Sequence, residues 1–241
     1  MFVLKIRFLL IVFFSLILIP CLTFAQTYFQ DDFSKDSSKW VDLWGTWTVE
    51  KGEYNQSLQD DNCMSLVADN FWKEEWVEYT FEVKAKKTGG NEGFLIMFRL
   101  HGAPDPRSRA IREIPARMKD QNPKTEYWWN LGGWANTRSC VERWINGTRI
   151  EQANTNDIIK TDEWYKIKIE NKKDSYKLYL NDKLISEVND AEVAGGRIGL
   201  AAWQTKAVFD DVVVYGPGGL GTAVDISGKL PIRWGLIKST Y

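Results

Sequence analysis

Histidine occurs once, at His101, and cysteine only three times in 241 residues. A chain so poor in both offers no histidine–cysteine cluster for zinc and a single candidate for a histidine-dependent triad. A lone histidine of this kind is ordinarily a surface or turn residue. Neither sign of charge is in excess, with 31 Lys and Arg against 32 Asp and Glu. That balance argues against nucleic acid as a partner, because phosphate backbones select basic surfaces. A serine nucleophile would need a strained elbow such as G-x-S-x-G, which is absent. Beyond residue 25 no segment shows helical periodicity over ten or more residues, and no apolar run approaches the roughly 20 residues of a membrane span.

The N-terminus is the exception. Lys5 and Arg7 precede an apolar run from Phe8 to Ile19, broken only by Ser15, and Pro20 stands before the small-residue exit Thr23-Phe24-Ala25. This is the three-part pattern of a secretion signal, with the expected cut after Ala25. The alternative of a lipid anchor on Cys21 has Pro20 where a small residue normally stands. The expectation is therefore an exported protein with no transmembrane span after cleavage. Cys63 and Cys140 remain, and they either pair outside the cytoplasm or serve as small buried hydrophobes.

Strand signals fill the rest. Segments such as Glu75 to Lys84, Trp164 to Glu170, Ser175 to Leu180 and Lys183 to Val188 alternate with period two, around turns such as Asn171-Lys172-Lys173-Asp174 and Asn181-Asp182. Phe94 to Leu100 is continuously apolar apart from Arg99, as expected of a strand covered on both faces. About a dozen strands without interleaved helices predict an all-β antiparallel sandwich over residues 26–216. Gly216-Pro217-Gly218-Gly219-Leu220-Gly221 then marks a linker into a tail, residues 217–241, which either packs back or docks a partner. The connection at 101–125 holds four prolines and six Arg and Lys, long enough to suggest a functional lip.

Twelve tryptophans, with 12 Phe and 9 Tyr, have to be accommodated in a core or on a binding face. They are densest in Tyr127-Trp128-Trp129-Asn130-Leu131-Gly132-Gly133-Trp134-Ala135-Asn136-Thr137-Arg138. A sugar presents an apolar face and a rim of hydroxyls, so its site wants flat rings beside amide and guanidinium groups. On a strand, adjacent residues point to opposite faces, so Trp128 and Trp129 cannot both fill the interior. The expected ligand-binding set is Glu92, Arg99, Trp128, Trp129, Asn130, Trp134, Asn136 and Arg138, with Trp129 and Trp134 stacking on sugar rings. Arg99 is open between ligand contact and a structural ion pair. Glu92 and Glu142 flank the segment and are the acids to suspect if the protein is an enzyme; each either bonds sugar hydroxyls or holds an arginine.

Asn91-Glu92-Gly93-Phe94-Leu95-Ile96 and Trp129 to Thr137 resemble the concanavalin A-like, laminin G-like jelly-roll module attached to many family 51 α-L-arabinofuranosidases. Asp31-Asp32-Phe33 with Trp40, Trp164 to Ile169, Leu178-Tyr179-Leu180-Asn181 and Phe209-Asp210-Asp211-Val212 are similar to patterns of the wider jelly-roll superfamily, including keto-disaccharide hydrolase-like modules. The resemblance covers about Tyr28 to Tyr215. It implies a lectin-like module for a plant- or microbial-type polysaccharide or oligosaccharide, without the separate (β/α)8 barrel of about 250 residues that carries catalysis in those enzymes. The tandem E-x-D-x-x-E of jelly-roll glucanases is absent. The rival expectation is a glycoside hydrolase using Glu92 and Glu142. No catalytic cofactor is implied. Asp32 and Asp210 either share a structural Ca²⁺, as related jelly rolls do, or are turn acids.

Overall fold

The computed structural model describes residues 26–101, 125–145 and 148–220. The expected leader, the interior of the 101–125 connection and the chain beyond 220 lie outside the described residues. Among the described residues, fifteen strands form two sheets, each pairing its strands antiparallel. The eight-stranded sheet runs β13 (Lys183–Asn189), β12 (Ser175–Leu180), β11 (Trp164–Asn171), β6 (Tyr79–Gly90), β15 (Thr205–Tyr215), β4 (Glu53–Gln56) and β3 (Trp47–Glu50), with β1 (Thr27–Asp31) also on β15. The seven-stranded sheet runs β10 (Thr148–Thr155), β9 (Arg138–Ile145), β8 (Thr125–Gly132), β7 (Phe94–His101), β14 (Arg197–Ala202), β5 (Cys63–Val67) and β2 (Trp40–Trp44).

The sandwich expected from period-two alternation is what forms, with three more strands than the dozen anticipated: β1, β2 and β10. β2 ends at Trp44 and β3 begins at Trp47, because Gly45, with φ 113°, turns the chain from one sheet to the other. The long β6 begins at Tyr79, four residues later than its alternation suggests, and runs on to Gly90.

Alternate residues of both sheets meet inside. Phe81, Val83 and Ala85 from β6, Phe94, Ile96 and Phe98 from β7, and Ile167 and Ile169 from β11 belong to one buried cluster. Trp40, Trp47, Trp76 and Trp129 lie in it, so part of the tryptophan fills the interior. The outward face of the eight-stranded sheet is salt-laced, with Lys84 to Asp211 and Lys168 to Glu170 both at 2.7 Å. The opposite face of the seven-stranded sheet carries a second apolar cluster of Leu43, Met64, Leu66, Leu95, Met97, Leu100, Trp128 and Ala201.

Cys63 and Cys140 are both free thiols. Cys63 joins the inter-sheet cluster, whereas Cys140 sits on β9, four strands from β5. Four strand spacings are about 19 Å, far beyond disulfide reach. Burial pushes both thiols up to about 12, which suits small buried hydrophobes.

Candidate functional site

Arg99 decides how the expected site must be redrawn. A register shift in β7 between Phe98 and His101 lets successive residues point the same way, and Arg99 itself has φ 51°. Its side chain turns inward and is 0% exposed. Nε donates to Asn171 Oδ1 at 2.5 Å, one terminal nitrogen to Asp190 O at 2.9 Å, and the other to Lys172 O at 2.8 Å and Ser175 O at 2.9 Å. The guanidinium lies between the rings of Tyr127 and Tyr176, about 5 Å from each. Arg99 therefore belongs to the interior and not to the ligand-facing floor. Trp129, 1% exposed, is likewise enclosed between the sheets and cannot stack on a sugar.

Residues with the opposite parity do face outward. On β8 these are Glu126, Trp128 and Asn130, and on β9 they are Arg138, Cys140, Glu142 and Trp144. Register places Trp144 between Glu126 and Arg149, and Glu142 between Trp128 and Glu151. The corner formed by β8, β9 and β10 is thus an outward platform of indoles, amides, carboxylates and guanidinia. Trp128 is 5% exposed and donates Nε1–H to Glu126 at 3.1 Å. Asn130 donates to Glu142 Oε1 at 3.0 Å, and Arg149 Nε donates to Glu142 Oε2 at 2.6 Å. Arg149 also pairs with Glu151 at 2.8 Å. Asn130 Oδ1 is buried and accepts no hydrogen bond.

Above the platform the chain makes an unusual turn. Gly132 is left-handed, and so are three consecutive residues with side chains: Trp134 at φ 51°, Ala135 at φ 57° and Asn136 at φ 59°. Such backbone costs L-residues roughly 1–2 kcal/mol each and persists only where the surroundings fix it. Asn136 supplies one fixing point, donating to Ile159 O and accepting from Ile159 N, both at 2.8 Å. Its amide is spent on that segment, which removes Asn136 from the expected ligand set. Glu92 supplies another, accepting from Ala135 N at 3.2 Å. Gly133 passes directly over Asn130, since a Cβ there would stand 2.6 Å from Asn130 Nδ2.

Trp134, at the head of the turn, is half-buried with the Arg138 guanidinium 3.4 Å from its ring centre. Arg138 grips Glu151 through two bonds of 2.6 and 3.1 Å and also reaches Asn154 at 2.9 Å. The ring face expected to receive a sugar is therefore occupied by an arginine, which leaves Trp134 as a packing partner of Arg138. The structure brings together Trp128, Asn130, Trp134, Arg138 and Glu142. Trp144, Arg149, Glu151 and Glu126 were not anticipated, although alternation from Arg138 through Glu142 already puts Trp144 on their face.

Asp32 and Asp210, the pair expected to share a calcium ion or to be turn acids, are each held by local bonds. β1 and β15 are neighbours, with Asp31 opposite Val212; Asp32 follows the last residue of β1, and Asp210 lies within β15. Asp32 accepts from the Ser34 amide and hydroxyl. Asp210 accepts from Asp211 N, and Lys84 pairs with Asp211. Calcium needs six to eight oxygens, and no group of three or more His, Cys, Asp or Glu among the described residues is placed to hold a metal. His101 Nε2 donates to Gly195 O at 2.8 Å, and its Nδ1 lies 3.5 Å from Glu74.

A family model described as a 3-keto-alpha-glucoside-1,2-lyase-like domain matches residues 28–215, nearly the whole sandwich. The chain belongs to this family. This lyase-like domain is 31% identical over 208 residues to an extracellular exo-alpha-L-arabinofuranosidase of Streptomyces chartreusis, covering 85% of the chain and 22% of the enzyme. A levanase of Bacillus subtilis strain 168 is 24% identical over 186 residues, covering 75% of the chain and 23% of the enzyme. The chain thus spans less than a quarter of the length of these curated relatives. Among solved structures, the carbohydrate-binding module CBM66 from Bacillus subtilis superposes with a TM-score of 0.56 at 21% identity, over 73% of this chain and 94% of that one. At that identity the superposition shows a shared jelly-roll fold.

Proposed function

We propose that this lyase-like domain is an exported carbohydrate-binding module that takes a plant- or microbial-type polysaccharide or oligosaccharide on the β8–β9–β10 platform. The observation that carries the reading is Asn130. Its amide is 6% exposed, its nitrogen is committed to Glu142, and its oxygen accepts nothing. An unsatisfied buried acceptor costs about 1–3 kcal/mol, and a sugar hydroxyl donating to it removes that cost. Glu142, Glu151 and the two arginines offer further acceptors and donors for a hydroxyl rim. Trp144, half-buried and outward between Glu126 and Arg149, is the ring suited to the apolar face of a sugar. The corner carries Glu126, Glu142 and Glu151 against Arg138 and Arg149, an excess of acid that disfavours an anionic sugar. Export rests on the N-terminal pattern and on the similarity to an extracellular enzyme.

The test is a glycan array followed by calorimetry on the best ligand. Asn130→Ala and Trp144→Ala are each expected to weaken binding by about 1–3 kcal/mol, roughly five- to 150-fold. Absence of any bound glycan, or variants that bind as tightly as wild type, would overturn the proposal.

A second reading has one observation behind it. Burial holds the Glu92 carboxyl above its ordinary range despite the Ala135 and Trp134 amides, while Glu142 is ion-paired to Arg149. A carboxyl that holds its proton more tightly than usual, near a second carboxyl group, is the kind of pair a glycosidase uses. Substituting both by glutamine separates the readings: turnover lost with binding kept favours the enzyme.

A further inference from the structure

Glu92 sits between two structures that meet nowhere in sequence. Its own amide donates to Thr205 Oγ1 at 3.2 Å, and the next residue, Gly93, donates to Gly132 O at 2.8 Å. The end of the β6–β7 hairpin is therefore locked against the start of the left-handed turn. A Cβ on Gly93 would stand 1.8 Å from Leu131 O, so this approach leaves no room for slack. From this anchored position the Glu92 carboxylate accepts from Ala135 N at 3.2 Å, with the Trp134 amide directed at the same group.

The rest of the turn is held from its far end. Asn136 clasps Ile159 on both sides, Thr137 N donates to Gly133 O at 3.0 Å, and Thr137 Oγ1 donates to Trp134 O at 2.8 Å. Those bonds leave the amides of Trp134 and Ala135, the two left-handed residues nearest the platform, to Glu92 among the described residues. Trp134 in turn supplies the ring on which Arg138 lies.

We propose that Glu92 is a positioning residue, bracing the left-handed turn so that Trp134 holds Arg138 and Arg149 in register over the sugar platform. It acts through the turn and does not itself touch the ligand. Hydrogen bonds from amides to a charged carboxylate are about twice as strong as those to a neutral acceptor, so the brace is firm when Glu92 is ionised and slackens when it gains a proton. Burial favours the proton, and the carboxylates facing Glu92, Glu142 from β9 and Asp61 from the loop before β5, favour it further; Lys87 on the inward face of β6 opposes them. The carboxyl therefore titrates above its ordinary value near 4.3, and the platform loosens as pH falls through that higher value. This inference deepens the carbohydrate reading of the same corner and rests on it for its meaning, though not for its test.

The test labels the full chain with 5-fluorotryptophan, assigns Trp134 from the resonance missing in Trp134→Phe, and follows that resonance from pH 8 to pH 4. In wild type it is expected to shift with a midpoint above the ordinary glutamate range. In Glu92→Gln, whose amide oxygen still accepts but cannot ionise, the shift is expected to vanish. In Glu92→Ala the resonance is expected to be displaced at every pH. A Trp134 resonance indifferent to both substitutions, or titrating unchanged in Glu92→Gln, would overturn the proposal, with or without a known ligand. If the array yields a glycan, Glu92→Ala is expected to lose about tenfold in affinity and Glu92→Gln to keep most of it at pH 7. An affinity loss in Glu92→Gln with Trp134 unmoved would instead make Glu92 a ligand contact. A wild type that binds no glycan defeats the sugar reading alone, since the resonance still decides the brace.

Discussion

Replacing Arg99 by alanine measures how much of the sandwich depends on one inward guanidinium. The side chain is fully enclosed and makes four hydrogen bonds, to Asn171 Oδ1 and to the carbonyls of Asp190, Lys172 and Ser175. Bonds to a charged group each contribute about 1.5–3 kcal/mol net, but such terms do not add within one network that shares the desolvation of a single arginine. Loss of one member of a buried charged network generally costs about 3–5 kcal/mol. The lower half of that range applies if water fills the void, because Asp190 keeps Arg143 at 2.9 Å, Gln152 at 2.9 Å and the Tyr127 hydroxyl at 3.1 Å. Arg99 itself occupies φ 51°, so alanine inherits the same backbone cost and the difference reports the side chain. About 3–4 kcal/mol is a large share of the 5–15 kcal/mol typical of a domain, and for one of this size it lowers Tm by roughly 6–16 °C. Urea unfolding and calorimetry read this directly. Arg99→Lys is expected to recover less than half, since an ammonium cannot address four acceptors spread around a planar fork. A loss under about 1 kcal/mol would refute the structural role, and wild-type stability with abolished glycan binding would return Arg99 to the ligand site.

Asp210 gives a prediction of opposite sign. Burial, with Asp211 and Glu53 nearby, pushes its carboxyl up to about 6 against an ordinary 3.8. The folded state therefore prefers the protonated form; that contribution is complete below about pH 4 and is lost as pH rises through 6. Asp210→Asn is expected to raise stability at pH 8 by about 1 kcal/mol, after discounting for a half-exposed group, and to leave it unchanged at pH 4. Equal effects at both pH values in urea titrations would contradict this. Gly93→Ala is expected to destabilise by more than about 3 kcal/mol or prevent soluble expression, because the new methyl would collide with Leu131 O. Gly52→Ala meets nothing within 4 Å at φ 77° and is expected to cost only about 1 kcal/mol of left-handed backbone. Similar melting temperatures for the two would show that the Gly93 contact is not tight.

Much of the fold was legible because period-two alternation is a local property. Trp164 to Glu170 and Ser175 to Leu180 read as strands and are strands. What alternation cannot show is a bulge. At Arg99 one extra residue turns a side chain from the outward face into the core, and nothing in Phe94 to Leu100 announces it. The parity argument correctly split Trp128 from Trp129, but it could not say which belonged inside, because that depends on which face of β8 meets the other sheet. The five-residue β1 and β2 and the eight-residue β10 carry no clear alternation for a different reason: each is an edge or near-edge strand whose identity comes from its partner. The left-handed turn is the least predictable element, since Trp134 and Ala135 have no intrinsic preference for positive φ and only Asn136 hints at it.

The position of the platform explains how this domain can combine a rigid frame with a polar site. The inter-sheet cluster uses none of the outward-facing residues of the β8–β9–β10 corner: Tyr127, Trp129 and Val141 close it from the same strands that send Trp128, Asn130 and Glu142 the other way. Polar groups on the outward parity are therefore free to vary without disturbing inward packing. Arg138 and Arg149 are only about one-third exposed and paired with Glu151 and Glu142, yet such rim pairs contribute on the order of 1 kcal/mol or less to folding. Arg99, one bulge away, belongs to the opposite category. The same residue type serves packing inside the sandwich and, in the proposed site, would serve recognition on its outward face; at Arg99 the bulge in β7 sets the inward direction.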